Sequence, residues 1–180
     1  MIAAVKGPLV VELTVGVRDE LPLTGGGRGL DNYLFPLAQR LGPAHIAAMF
    51  GRKVHGASFL AVGYAQPDHA ASPPQFSAQI AGSYVRTEWK ASIRERLLQV
   101  QHVALTAGAV GMTIGITTGP GRNWTNVWKP LIEAFGPVLG EDLNRPFHPN
   151  DDRITCLGMH HDVDTAVGHD VIIAAWWTTL

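Results

Sequence analysis

Gly27-Arg28-Gly29-Leu30-Asp31-Asn32-Tyr33-Leu34-Phe35-Pro36-Leu37-Ala38-Gln39-Arg40-Leu41-Gly42-Pro43 returns 94 residues later as Gly121-Arg122-Asn123-Trp124-Thr125-Asn126-Val127-Trp128-Lys129-Pro130-Leu131-Ile132-Glu133-Ala134-Phe135-Gly136-Pro137. Seven of the 17 positions are identical: Gly27/Gly121, Arg28/Arg122, Asn32/Asn126, Pro36/Pro130, Leu37/Leu131, Gly42/Gly136 and Pro43/Pro137. Unrelated segments of that length would share about one residue, so the pattern marks an internal duplication. The apolar positions repeat in step: Leu30/Trp124, Leu34/Trp128, Leu37/Leu131 and Leu41/Phe135. Their spacing predicts a helix with one buried face in each copy. A Gly-rich loop precedes each helix and Gly-Pro stops it. Pro36 and Pro130 are expected near the first helical turn, where a missing N–H costs least.

Working outward, Val11-Glu12-Leu13-Thr14-Val15-Gly16-Val17 alternates apolar and polar residues, as a half-buried strand does. Two further strand-like runs, around Ile46–His55 and Ala57–Ala65, turn near Gly56. The second copy repeats the order: a strand over Val110–Thr118, the loop Gly119-Pro120-Gly121, the helix, and strands over Arg153–His161 and Val171–Trp177. An insertion from about Val138 to Asn150 interrupts it. Residues 68–85, opening with the polar, Pro-rich Asp68–Gln75, are expected to be a connector. Arg86–Val103 is expected to be an amphipathic helix, with Trp89, Ile93, Leu97 and Val100 on one stripe and Arg86, Lys90 and Arg94 on another. The predicted fold class is α/β in an α+β layout. Two β-α-β-β units, within residues 1–67 and 86–180, are related by pseudo-twofold symmetry inside one chain, with helices packed on mixed sheets.

Of the 180 residues, 46% are hydrophobic and 16% charged, which excludes a disordered chain and leaves ample material for a core. The net charge of −1 predicts no bulk attraction to nucleic acid or to an anionic membrane; only a local basic patch could provide it. The single cysteine, Cys156, excludes an intrachain disulfide and suits a reducing compartment. The first residues lack the long apolar core of a signal peptide, and no apolar run reaches the ~20 residues that span a bilayer. A cytoplasmic protein without a membrane partner is the expectation.

Three stretches carry the chemistry: Gly29-Leu30-Asp31-Asn32-Tyr33-Leu34-Phe35, Asn123-Trp124-Thr125-Asn126-Val127-Trp128-Lys129, and Asn150-Asp151-Asp152-Arg153-Ile154. In this order of strands and helices they resemble the RusA-type Holliday-junction resolvases. The pattern of that family is Asp-x-Asp-Asn-x-x-Lys opening a helix, then Asp-Asp-x-Gln-Ile/Val entering a hairpin. The resemblance spans Arg86–Trp177 with the leading helix and Leu9–Ala65 without it. It implies a Mg²⁺-dependent, structure-selective endonuclease acting on Holliday junctions or other branched DNA in recombination and repair. Where the family forms homodimers, this chain would form a monomeric pseudo-dimer.

Carried over residue by residue, the resemblance makes Asp31, Asp151 and Asp152 the metal ligands and adds Lys129 to the catalytic set. Arg28, Arg122, Asn32 and Asn126 would contact nucleic acid. The first unit keeps Asp31 and Asn32 but lacks the first acid and the Lys. The second keeps Asn126 and Lys129, with Asn123 and Thr125 in place of both acids. Spacing to Ile154 favours Asp151 over Asp152. A Mg²⁺ site for phosphodiester cleavage needs two or three converging carboxylates, and no single unit retains three. A composite site would pair Asp31 from one unit with Asp151 or Asp152 from the other. The alternative is a non-catalytic binding or regulatory module of the same fold, in which Asp31 and Asn32 cap a helix and Asp151-Asp152 is a solvated turn.

Other groupings weigh less. Arg28 and Arg122 each sit in a Gly-rich loop before a helix N-terminus, a place suited to anions. Arg86, Lys90 and Arg94 could track phosphates, or pair with Glu88 and Glu95 along the helix. His160 and His161 are adjacent on a strand and so face opposite ways, while His148 and His169 lie elsewhere; Asp164 and Gly168 mark a turn. The tryptophans are assigned to the core. Cys156 has no repeated His partner, and there is no P-loop.

Overall fold

Alternation of apolar and polar residues becomes strand β1 (Leu9–Val17) and strand β5 (Val110–Thr118), and β5 buries every second residue. The structure, a computed structural model, describes residues 7–66, 72–142 and 144–180. The other strands are β2 (Ile46–His55), β3 (Phe59–Tyr64), β4 (Phe76–Ile80), β6 (Ile154–Val163) and β7 (Val171–Thr179). The helices are α1 (Asp31–Leu41), α2 (Thr87–Val100), α3 (Trp128–Ala134) and α4 (Gly136–Leu139).

The seven strands form one mixed sheet in the order β3-β1-β2-β6-β5-β7-β4. The pairs β1/β2 and β5/β6 are parallel and the other neighbours antiparallel. A βαβ crossover carries α1 or α3 between the strands of its parallel pair, the usual way to join parallel neighbours. One continuous sheet stands where separate sheets were expected, because β2 and β6 zip together along their outer edges. The register centres on Phe50↔Gly158, flanked by Met49↔Met159 and Gly51↔Leu157. A register shift falls between Leu9 and Val10 in the β1/β2 pair and between Val110 and Gly111 in the β5/β6 pair.

Three expectations need correction. The segment taken as connector contains β4, whose Phe76, Ala78 and Ile80 are buried against the end of the sheet. A strand of five residues behind Pro73-Pro74 carries too little periodicity to stand out in the sequence; residues 67–71 of that stretch lie outside the described residues. Helix α1 begins at Asp31, with Leu30 at the capping position and no side-chain cap, so Asp31 is not a cap. Pro36 lies inside α1 on its exposed side, where water can serve the carbonyl that Pro leaves unbonded.

The helices fill one side of the sheet. Trp124, Trp128, Leu131 and Phe135 are buried together with Leu34, Ile93, Ile114 and Ile173. Trp124 meets Trp128 edge to face at 4.8 Å, and Phe135 packs edge-on against Phe76 and Trp177. Truncating a ring this deep costs about 3–5 kcal/mol. Trp176 alternates to the other face and donates its indole N–H to the Ser72 carbonyl. On α2, Trp89, Ile93 and Leu97 are buried, whereas Val100 is exposed where the helix ends. Lys90 pairs with Glu133 and Arg94 with Glu141, across to the neighbouring helical segment and not along α2 with Glu88 and Glu95. Among the described residues no helix is long and apolar enough to cross a membrane.

Candidate active site

Two loops from opposite halves of the chain meet where β2 ends and β6 begins. The Gly-rich loop before α1 comes from the first half, and the one-turn helix Asp151–Arg153 from the second. Gly27 donates its N–H to Asp152 Oδ2 at 2.8 Å, and Lys53 Nζ donates to the Asp152 carbonyl at 2.8 Å. Arg153 anchors the turn from behind by donating to the carbonyls of Leu105, Thr106, Gly108 and Leu139. Four carbonyls on one guanidinium make that turn a rigid mount.

Gly29 fixes the spacing. The space that a Cβ would occupy there is bounded by Asp31 Oδ1 at 2.6 Å, Asp151 Oδ2 at 2.9 Å and Asn32 Nδ2 at 3.1 Å. The two carboxylate oxygens are therefore no more than about 5.5 Å apart, the sum of the first two distances. Burial holds the Asp31 carboxyl above the usual carboxylate range, opposed in part by its backbone hydrogen bond to Asn32 and by the Lys129 ammonium. Asp151 is raised by burial and then by the negative charges of Asp31 and Asp152. Lys53, only 3% exposed, has its pKa lowered by burial, with Asp152, Asp151 and Asp31 pulling the other way. The site thus concentrates negative charge that one buried lysine offsets incompletely.

Asp31, Asn32, Lys129, Glu133, His148 and Asp151 share the wall of a cavity of ≈ 240 Å³. The structure therefore brings together Asp31, Asp151, Asn32 and Lys129. Asp152 sits beside them but spends one oxygen on Gly27. Arg28 donates to the Pro22 carbonyl at 2.8 Å, and its charge bears on Lys53. Arg122 is turned elsewhere, donating to the carbonyls of His169 and Asp170 and lying over the Tyr84 ring. Asn126 donates to the Tyr84 hydroxyl at 3.4 Å.

Sequence reasoning overlooked Lys53 and Glu133. A signal existed for Lys53: it shares strand parity with Met49 and Gly51, the inward face of β2, where a charge is costly unless partnered. Glu133 lies one helical turn beyond Lys129 and is held by Lys90 at 2.8 Å.

The corresponding positions in the other half carry no such charge. Thr125 stands where the repeat has Asp31; its hydroxyl accepts from Gln39 Nε2 and donates to Asn123 Oδ1, both at 2.7 Å. His161 pairs with Ile116 as Lys53 pairs with Val15, each two residues short of the end of its strand pairing. It stacks on Trp124 at 4.9 Å and bonds to the Thr118 hydroxyl at 3.0 Å, and burial lowers its pKa. His160 faces away against the Phe50 ring, so the two histidines diverge. Trp124 Nε1 donates to the Pro43 carbonyl at 3.1 Å. Asp164 caps the β6–β7 turn by accepting from Ala166 N.

Among the described residues no three His, Cys, Asp or Glu side chains are grouped to hold a metal ion as they stand. Two carboxylates do fit a Mg²⁺ ion, which keeps several waters and takes one or two acids plus substrate phosphate. The raised pKa values of Asp31 and Asp151 mark the uncompensated charge that such a cation would relieve. Compared with known proteins, the chain matches no family model, and no curated protein and no solved structure is significantly similar to it.

Proposed function

We propose that the chain is a RusA-like, Mg²⁺-dependent endonuclease selective for branched DNA, built as an intrachain pseudo-dimer with one composite active site. The observation that carries this reading is the approach of Asp31 and Asp151 from opposite halves of the chain to either side of Gly29. The pseudo-dimer is supported by the strand order, by the matching register shifts, and by β2/β6 pairings that exchange under a twofold through Phe50 and Gly158. Under that symmetry the second site has become the neutral set Thr125, Gln39 and His161.

A bound Mg²⁺ would supply Lewis-acid stabilisation of the charge that develops on the phosphate and would lower the pKa of a water nucleophile. Asp31 and Asp151 would hold the cation. Lys129, exposed on the rim beside Asp31, contacts the DNA phosphate. Lys53 holds the Asp152 carbonyl and so keeps Asp151 facing Asp31. Incubating the protein with four-way junctions at low salt, with Mg²⁺ or Mn²⁺, tests the proposal. Cleavage lost in Asp31→Asn and Asp151→Asn supports it; intact junctions that the protein does not even bind overturn it.

A second reading, a non-catalytic module of the same fold, is favoured because among the described residues no three His, Cys, Asp or Glu side chains are grouped so as to hold a metal ion. Junction binding without cleavage by wild-type protein would select it.

A further inference from the structure

Next to the acidic cavity lies a larger one, ≈ 480 Å³, that shares Asp31, Asn32 and Lys129 with it. Its remaining wall has a different character: the rings of Phe35, Tyr84 and Trp128, and the amide of Asn126. Phe35 is exposed and Tyr84 half-buried, so their rings are available to a ligand. Arg122 lies over Tyr84 at 5.7 Å, and Asn126 bonds to its hydroxyl, which together fix that ring in place. Trp128 is 1% exposed and its indole N–H has no hydrogen-bond partner, an uncommon state for a buried donor.

We infer that this cavity receives an unstacked nucleobase whose 3′ or 5′ phosphate lies against Lys129. The inference rests on the endonuclease reading above. Aromatic rings offer stacking that is tolerant of base identity, worth about 1–3 kcal/mol per base. The amides of Asn32 and Asn126 each present a donor and an acceptor, the complement of a base edge. Branched DNA supplies such a base at low cost, because pairing and stacking are already interrupted at the branch. The base would thereby set which phosphate reaches Asp31 and Asp151.

The test photocrosslinks the full-length protein to a four-way junction carrying 5-iododeoxyuridine at the branch, with adducts mapped by mass spectrometry. Deoxynucleoside monophosphates are titrated in parallel by tryptophan fluorescence. Adducts on Phe35 or Tyr84 are expected. Asn126→Ala is expected to weaken binding roughly 10-fold, about the discrimination of one base contact. It should leave unchanged the affinity for a junction that is abasic at that position. Junction binding with adducts only elsewhere, or equal loss on the abasic junction, overturns the pocket while sparing the endonuclease reading. Nucleotide binding without junction binding keeps the pocket and removes that reading; binding of neither removes both.

Discussion

Asp31 Oδ1 and Asp151 Oδ2, from opposite halves of the chain, flank the vacant Cβ position of Gly29 at 2.6 and 2.9 Å. Gly29 is not among the glycines with positive φ, so its backbone would accept a side chain. Its reason for being glycine is the pair of carboxylates. Gly29→Ala would wedge them apart. The expected result is a melting temperature within a few degrees of wild type, about 1 kcal/mol, together with loss of Mg²⁺-induced stabilisation. Calorimetry with and without Mg²⁺ checks both, and a variant that still responds fully to Mg²⁺ contradicts the carboxylate geometry.

Asp31→Asn separates activity from stability. An acid whose pKa is raised by folding holds its proton more tightly in the native state, so it lowers stability as pH climbs from 3.8 through the folded value. The neutral amide removes that penalty. At pH 8 the variant should melt higher than wild type, by about 2–4 °C per kcal/mol relieved, and the difference should vanish below pH 4. Cleavage should fall about a thousandfold, the loss of several kcal/mol of charge stabilisation. A variant that melts lower at pH 8 would contradict the uncompensated charge at this site.

Divalent cations should stabilise the fold through the same pair. At about 100 times its Kd, Mg²⁺ adds about 2.7 kcal/mol. That shift should disappear in Asp31→Asn and in Asp151→Asn and should weaken on acidification, since both carboxyls must be ionised to hold the cation and burial raises both pKa values. Calorimetric melts with and without Mg²⁺ across a pH series check both; a shift that persists unchanged on acidification would contradict binding through these carboxylates.

Lys53→Met keeps the buried stem and removes the charge that favours ionised Asp31, Asp151 and Asp152. The acid limb of the pH–rate profile of the proposed cleavage should move to higher pH, because ionised Asp151 loses a favourable neighbouring charge. An unmoved limb with an unchanged melting temperature would show that Lys53 does not act on the carboxylates.

In the neutral half, burial holds the His161 pKa below 6.5, so the folded state binds fewer protons than the unfolded chain between that lowered value and 6.5. Stability should therefore rise with pH through this window and fall on acidification. His161→Phe keeps the stack on Trp124, loses the bond to Thr118, and should flatten that slope in thermal melts between pH 5 and 7. A slope that persists in the variant must come from other groups.

Local periodicity and the Gly and Pro positions that any short window displays were enough to place β1, α1, β2, β3, β5, α3, β6 and β7. The resemblance to the RusA-type pattern, not the repeat, singled out Asp31, Lys129 and Asp151. Only the tertiary structure decided that the β2 and β6 edges join the two halves of the chain into one sheet, that β4 extends it, and that Lys53 and Glu133 complete the charged cluster. Those outcomes depend on contacts between residues roughly 100 positions apart, such as Lys53 with the Asp152 carbonyl, for which no local pattern exists. The two Gly-rich loops look alike in sequence. In the first, Gly27 donates to Asp152 of the opposite half; just after the second, Trp124 donates to the Pro43 carbonyl of the opposite half, so each loop meets a different partner across the chain.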